Sequence, residues 1–97
     1  MKLRDILKEN ELVLVEFGAA WCGPCHSMKP ILEELRNRIG DKALVLEVDV
    51  DKEPRNAKPH NIFSLPTIIL FKNGVEKWKR IGVRSSDEME KAIAKYL

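Results

Sequence analysis

Residues 12 to 17, Leu12-Val13-Leu14-Val15-Glu16-Phe17, form a nearly continuous apolar run closed by Gly18. A run this short and this apolar predicts a central strand buried on both faces. Such a strand needs cover on each side, which implies helices packed on both faces of a sheet. The flanking residues can supply them. Residues 2 to 9 place Leu3, Ile6 and Leu7 at helical spacing, and Asn10 is a suitable stop. From Pro24 to Ile39, a stripe of Met28, Ile31, Leu32, Leu35 and Ile39 predicts a longer one-sided helix. Lys29/Glu33 and Glu34/Arg38 pair four apart on its other side, and Gly40 follows its end. Pro30 predicts a kink one turn in.

The rest of the chain extends this pattern. Ala43-Leu44-Val45-Leu46-Glu47-Val48 predicts a second strand. Strand, helix and strand then make a right-handed βαβ unit with parallel strands. Residues 53 to 60 predict a short irregular helix between Pro54 and Pro59. Thr67-Ile68-Ile69-Leu70-Phe71 predicts a third strand. Asn73-Gly74 signals a hairpin into a fourth, Val75 to Ile81. Lys77, Lys79 and Arg80 suit an edge guarded against further pairing. Ser85 followed by Glu88 resembles a capping box, with Met89, Ala92, Ile93 and Tyr96 on the core face of a last helix. The expectation is one three-layer α/β domain over residues 1–97.

Composition excludes several classes of function. Lys and Arg number 17 against 15 Asp and Glu, a net charge of +2 without a basic block, so nucleic-acid binding is not expected. No apolar stretch approaches a membrane span. Met1 to Glu9 is charged throughout and lacks the apolar core of a signal peptide, which predicts a cytoplasmic protein. The chain has two cysteines, and both lie within four residues. A bridge there closes almost no loop and adds little stability, so chemistry explains the pair better than stapling.

Cys22 and Cys25 flank Gly23-Pro24, just after the first strand. Pro24 suits the first turn of a helix, which puts Cys22 at the helix N-terminus. Free amides and the positive dipole end favour a thiolate there. Cys25, three residues on, is within disulfide reach, one turn inside the helix and expected to be less exposed. Cys22 would attack a substrate disulfide, and Cys25 would then resolve the mixed disulfide. Trp21 would offer a flat apolar surface beside the nucleophile. A zinc half-site is the main competing reading of Cys-x-x-Cys. It needs two further ligands, and His26 and His60 are the only histidines. His26, next to Cys25, points away at helical spacing, so no metal site is expected.

Four features in order resemble the thioredoxin family: Val15-Glu16-Phe17; Ala20-Trp21-Cys22-Gly23-Pro24-Cys25 with Pro30; Leu46-Glu47-Val48-Asp49-Val50-Asp51; and Leu65-Pro66-Thr67 followed by Phe71-Lys72-Asn73-Gly74 and Ile81-Gly82. The likeness runs from about Leu12 to the C-terminus. It implies a thioredoxin fold, and a monomeric protein-disulfide reductase that needs no bound cofactor. It further implies recharging by thioredoxin reductase or an equivalent donor and action on disulfide-containing client proteins. Pro66 matches the family's cis-proline opposite the cysteines, and the backbone at Leu65 would pair with an extended client segment. Gly82 and Val83 match the loop that completes an apolar docking rim with Trp21 and Pro24. Gly23 and Thr67 fall within the same matched segments and are included in the docking surface.

Glu16 matches the family's buried acid, commonly Asp, whose role is to accept and return the proton of Cys25. The residue supports this independently, because a carboxylate in an apolar strand needs a reason. Burial would raise its pKa into the range useful for proton transfer. A solvated Glu at a strand end is the competing reading. The chain departs from the family in three ways. Glu is longer than Asp. Glu47 stands where some members carry Lys; if it faces Glu16, the two would repel and titrate together. The usual strand before the first helix is absent, which predicts four strands with residues 43 to 49 at one edge. His26 reads as a solvated surface residue, and His60 has no assigned role. Two rival functions are a dedicated reductant of one partner and a non-catalytic binding or chaperone module on the same scaffold.

Overall fold

The computed structural model describes all 97 residues. Eight elements follow in order: α1 (Leu3–Glu9), β1 (Leu12–Gly18), α2 (Gly23–Ile39), β2 (Leu44–Asp49), α3 (Pro54–Ala57), β3 (Thr67–Lys72), β4 (Val75–Ile81) and α4 (Ser86–Lys95). Short 3₁₀ turns follow α2 and α3. The sheet order is β2-β1-β3-β4. β1 runs parallel to β2 and antiparallel to β3, and β3 runs antiparallel to β4. The four strands and the edge position of β2 agree with the sequence reading. α2 runs unbroken through Pro30.

β1 explains why two cores form. Every residue from Leu12 to Gly18 is buried, and alternate side chains face opposite layers. Val13, Val15 and Phe17 join Leu3 and Leu7 of α1 and Ala57 of α3. Leu12 and Leu14 join Met28, Leu32 and Leu35 of α2 and Met89 and Ile93 of α4. Glu16 and Gly18 continue this second face toward the start of α2.

Local chemistry sets the helix ends. Lys2 offers no side-chain cap to α1, and Asn56 Oδ1 instead accepts from the Leu3 amide at 3.0 Å. Ser85 Oγ accepts from the Glu88 amide at 3.1 Å and caps α4. The Glu88 carboxylate does not complete a reciprocal box. It pairs with Arg80 and Arg84 instead. His60, given no role by its sequence, packs its ring against Phe17 and Phe71 and helps fill the α1 side of the sheet. Burial holds its pKa below the usual histidine value.

Candidate active site

The site lies where β1 ends and α2 begins. Cys22 is the N-cap of α2, with extended backbone, and Pro24 occupies the first turn. The Cys25 amide donates to Cys22 Sγ at 3.2 Å. A helix start thus aims an otherwise unpartnered N–H at the first sulfur, where a thiolate would collect its charge. The two cysteines form a disulfide with Cα atoms 5.3 Å apart.

Exposure does not separate the two cysteines as the sequence suggested. Cys22 is 5% exposed and Cys25 7%. Their surroundings separate them instead. Cys22 receives the helix amide, while Cys25 faces back toward β1, with its Sγ next to Gly18. Both pack with Ala19 in a small cluster that Val50 and Leu65 cover.

Glu16 is the buried acid of the site, 4% exposed. Its Oε2 is buried without a hydrogen-bond partner. Burial first, and then the charge of Glu47, push its pKa up to about 7, with Lys29 opposing. Glu47 is its register partner on β2. That residue is exposed and held by Lys29 Nζ at 3.3 Å and Arg36 Nη2 at 3.5 Å. A small cleft containing Glu16, Cys25, Lys29, Glu47, Asp49 and Lys52 joins the acid to the surface.

Most of the matched docking residues surround the cysteines. The Leu65–Pro66 bond is cis. The Leu65 amide and carbonyl have no backbone partner, so both remain open to an extended segment. The Gly82 amide donates to the Pro66 carbonyl at 2.8 Å, which ties the loop bearing exposed Val83 to the proline. Gly82 has φ +97°, a conformation that favours glycine. Gly23 and Pro24 are exposed. Trp21 is 72% exposed, and its indole N–H donates to Asp51 Oδ2 at 2.8 Å.

Thr67 departs from expectation. It is fully enclosed, and its hydroxyl donates to the Ser64 carbonyl at 2.6 Å. Its side chain braces the loop before Pro66 and does not line the surface. His26 is exposed, and its Nε2 donates to the Ala20 carbonyl at 2.7 Å.

Three neighbours escaped the sequence reading. Asp51 orients Trp21. Lys29 bridges α2 to Glu47 beside the acid. Phe63 is 88% exposed and lines a shallow groove with Trp21, Val50, Ile62 and Leu65. A lone Phe in a loop, outside any strand or helix periodicity, was the available signal.

The comparisons agree with this geometry. The thioredoxin family model matches residues 3–95. The chain is 42% identical over 94 residues to a thioredoxin of Alicyclobacillus acidocaldarius, covering 97% of this chain and 90% of that protein. It is 41% identical over 85 residues to a thioredoxin of Chlamydia trachomatis, covering 88% of this chain and 82% of that one. Among solved structures, reduced Schistosoma mansoni thioredoxin pre-protein superposes with TM-score 0.86 at 36% identity, over 100% of this chain and 95% of that one. Plasmodium falciparum thioredoxin gives 0.86 at 35% identity, over 98% and 91%. The chain belongs to the thioredoxin family, and its Cys22–Cys25 pair makes it a thiol–disulfide oxidoreductase of the protein-disulfide reductase type.

Proposed function

We propose that the protein reduces disulfides in client proteins, with Cys22 as nucleophile, Cys25 as resolving thiol and Glu16 as the proton acceptor for Cys25. The observation that carries this reading is the placement of Cys22 at the start of α2, where the Cys25 amide meets its sulfur. In the dithiol form, the Cys22 thiolate attacks a client disulfide. The client S–S bond breaks, one client sulfur leaves as thiolate, and a mixed disulfide forms. The Cys25 thiol then gives its proton to Glu16 and attacks the Cys22 sulfur. The mixed disulfide breaks, the Cys22–Cys25 disulfide forms, and the second client sulfur leaves as thiolate; the two client thiolates take up protons from solvent, leaving the client two electrons richer.

A carboxylate with a pKa of about 7 is close to half ionised at neutral pH. It can therefore take a proton and later lose it to solvent, directly or through one water. The cleft past Lys29 and Glu47 supplies the exit. On the client side, the open backbone of Leu65 beside cis-Pro66 supports strand-like pairing, and Trp21, Gly23, Pro24, Gly82 and Val83 support docking by shape. Phe63 extends that apolar surface.

A reductase of the thioredoxin system, or an equivalent donor, would return the disulfide to the dithiol. One solved structure that this chain resembles concerns thiol resolution of a yeast mitochondrial 1-Cys peroxiredoxin by glutathione and thioredoxin systems. That makes a peroxidase one reasonable client class. No helix is long and apolar enough to cross a membrane. Insulin reduction with the wild type and Cys22→Ser tests the reading. The variant should lose turnover entirely, and unchanged turnover would end it.

A further inference from the structure

Gly18 closes β1 two residues after Glu16, so the two lie on the same face of the strand. Its backbone does not call for glycine. Among the glycines, only Gly40, Gly74 and Gly82 have positive φ. Its neighbours do call for it. A Cβ built on Gly18 would lie 2.8 Å from Glu16 Oε2, 3.1 Å from Cys25 Sγ and 3.2 Å from Cys25 Cβ. The acid and the sulfur therefore converge on one point that any other residue would fill.

From this convergence we infer that Gly18 is a positioning residue: its missing side chain is the space into which the Glu16 carboxylate folds to reach Cys25. Glu is longer than the Asp common in the family, so its oxygens need room beyond the strand's own footprint. The inference rests on the reading of Glu16 as proton acceptor. It adds that residues 16 and 18 work as a matched pair in this chain.

The first thing a methyl group at residue 18 would meet is the end of a flexible side chain, so the carboxylate is what must give way. The methyl group would also touch Cys25 Sγ, so the carboxylate could not keep its place beside the sulfur. Other charged or titratable groups face this space too. Cys25, His26 and Lys29 come from α2, Glu47 and Asp49 from β2, and Lys52 from the turn after β2. Displacement toward Lys29 and the cleft lowers the midpoint at which residue 16 titrates.

The test measures the carboxyl midpoint of residue 16 by NMR, thermal unfolding, and client release from the Cys22 mixed disulfide. The proteins are wild type, Gly18→Ala, Glu16→Gln, and the double variant Glu16→Asp/Gly18→Ala. Gly18→Ala should slow release by about 10-fold and shift the midpoint to lower pH, since small misplacements of a reacting group are costly. The double variant should recover release to within about 3-fold of wild type, because Asp stops short of the contested space. Wild-type release and midpoint in Gly18→Ala, beside a slow Glu16→Gln, would overturn the positioning role alone. Wild-type release in Glu16→Gln would overturn the proton-acceptor reading beneath it. If Gly18→Ala does not fold, the double variant decides. Folding with recovered release supports the pair, while equal failure assigns Gly18 to packing against Cys25 and overturns it.

Discussion

Glu16 and Glu47 are the same residue type at paired positions on neighbouring strands. Glu16 lies on the central strand, enclosed, with one oxygen unpartnered and a pKa of about 7. Glu47 lies on the edge strand, open to solvent and flanked by Lys29 and Arg36. One strand's width separates a buried acid with a pKa near neutrality from a surface ion pair. Sheet order makes the difference. β1 has a strand on each side and a helix on each face, so its polar side chain loses water without gaining cations in contact. β2 has one free edge, where long basic side chains of α2 can reach. Ion pairing at such a surface is worth little energy and is screened by salt.

The two glutamates should differ most in the kinetics. Glu16→Gln should slow release of client from the mixed disulfide at pH 7 on the order of 100-fold, the usual scale for a lost acid–base group. Glu47→Gln should change it by less than about 3-fold, as a screened surface charge would. Single-turnover release measured on both variants checks this, and equal losses would show that the buried and exposed acids act as one.

Stability against pH is the next largest contrast. The folded pKa of Glu16, about 7, lies above the ordinary value of 4.5. The native state therefore holds this proton more tightly than the unfolded chain. Below pH 4.5 both states are protonated and the group contributes nothing. As pH rises from 4.5 toward about 7, the unfolded chain ionises while the native state keeps its proton, so the fold loses stability until Glu16 ionises too. The loss is roughly 3 kcal/mol as an upper bound. Glu16→Gln should thus gain stability on the wild type across that window and hold the gain above it, whereas Glu47→Gln should show no comparable pH-dependent gain. Urea unfolding at pH 5 and pH 8.5 checks the sign.

The charges around Glu16 should have smaller effects. Removing the like charge with Glu47→Gln should move the Glu16 midpoint to lower pH. Removing the cation with Lys29→Met should move it to higher pH. Both shifts should shrink at high salt, since these partners are exposed. A pH profile of client release at low and high salt reads both.

Much of this arrangement was legible in the sequence. The apolar run at residues 12 to 17 specified a strand buried on two faces, and a carboxylate inside it had to be either at the strand's end or at a site. Spacing alone placed Cys22 at a helix start and Gly40 past its end. Side-chain direction was less legible. Thr67 follows the proline of the site, yet register turns it inward between Phe17 and Ile81. The cysteines differ in what they face and not in exposure, which depends on how Leu65 and Val50 close over them from distant segments. Phe63 had no periodicity to assign it, and the need for glycine at residue 18 is visible only once Glu16 and Cys25 meet across it.

The central claim is that Glu16 holds a proton near neutrality because the fold encloses it at Cys25. A carboxyl ¹³C titration of Glu16 in the oxidised protein measures this directly. The expected midpoint is about 7, well above the ordinary glutamate value of 4.5. A midpoint near the ordinary 4.5 would contradict it.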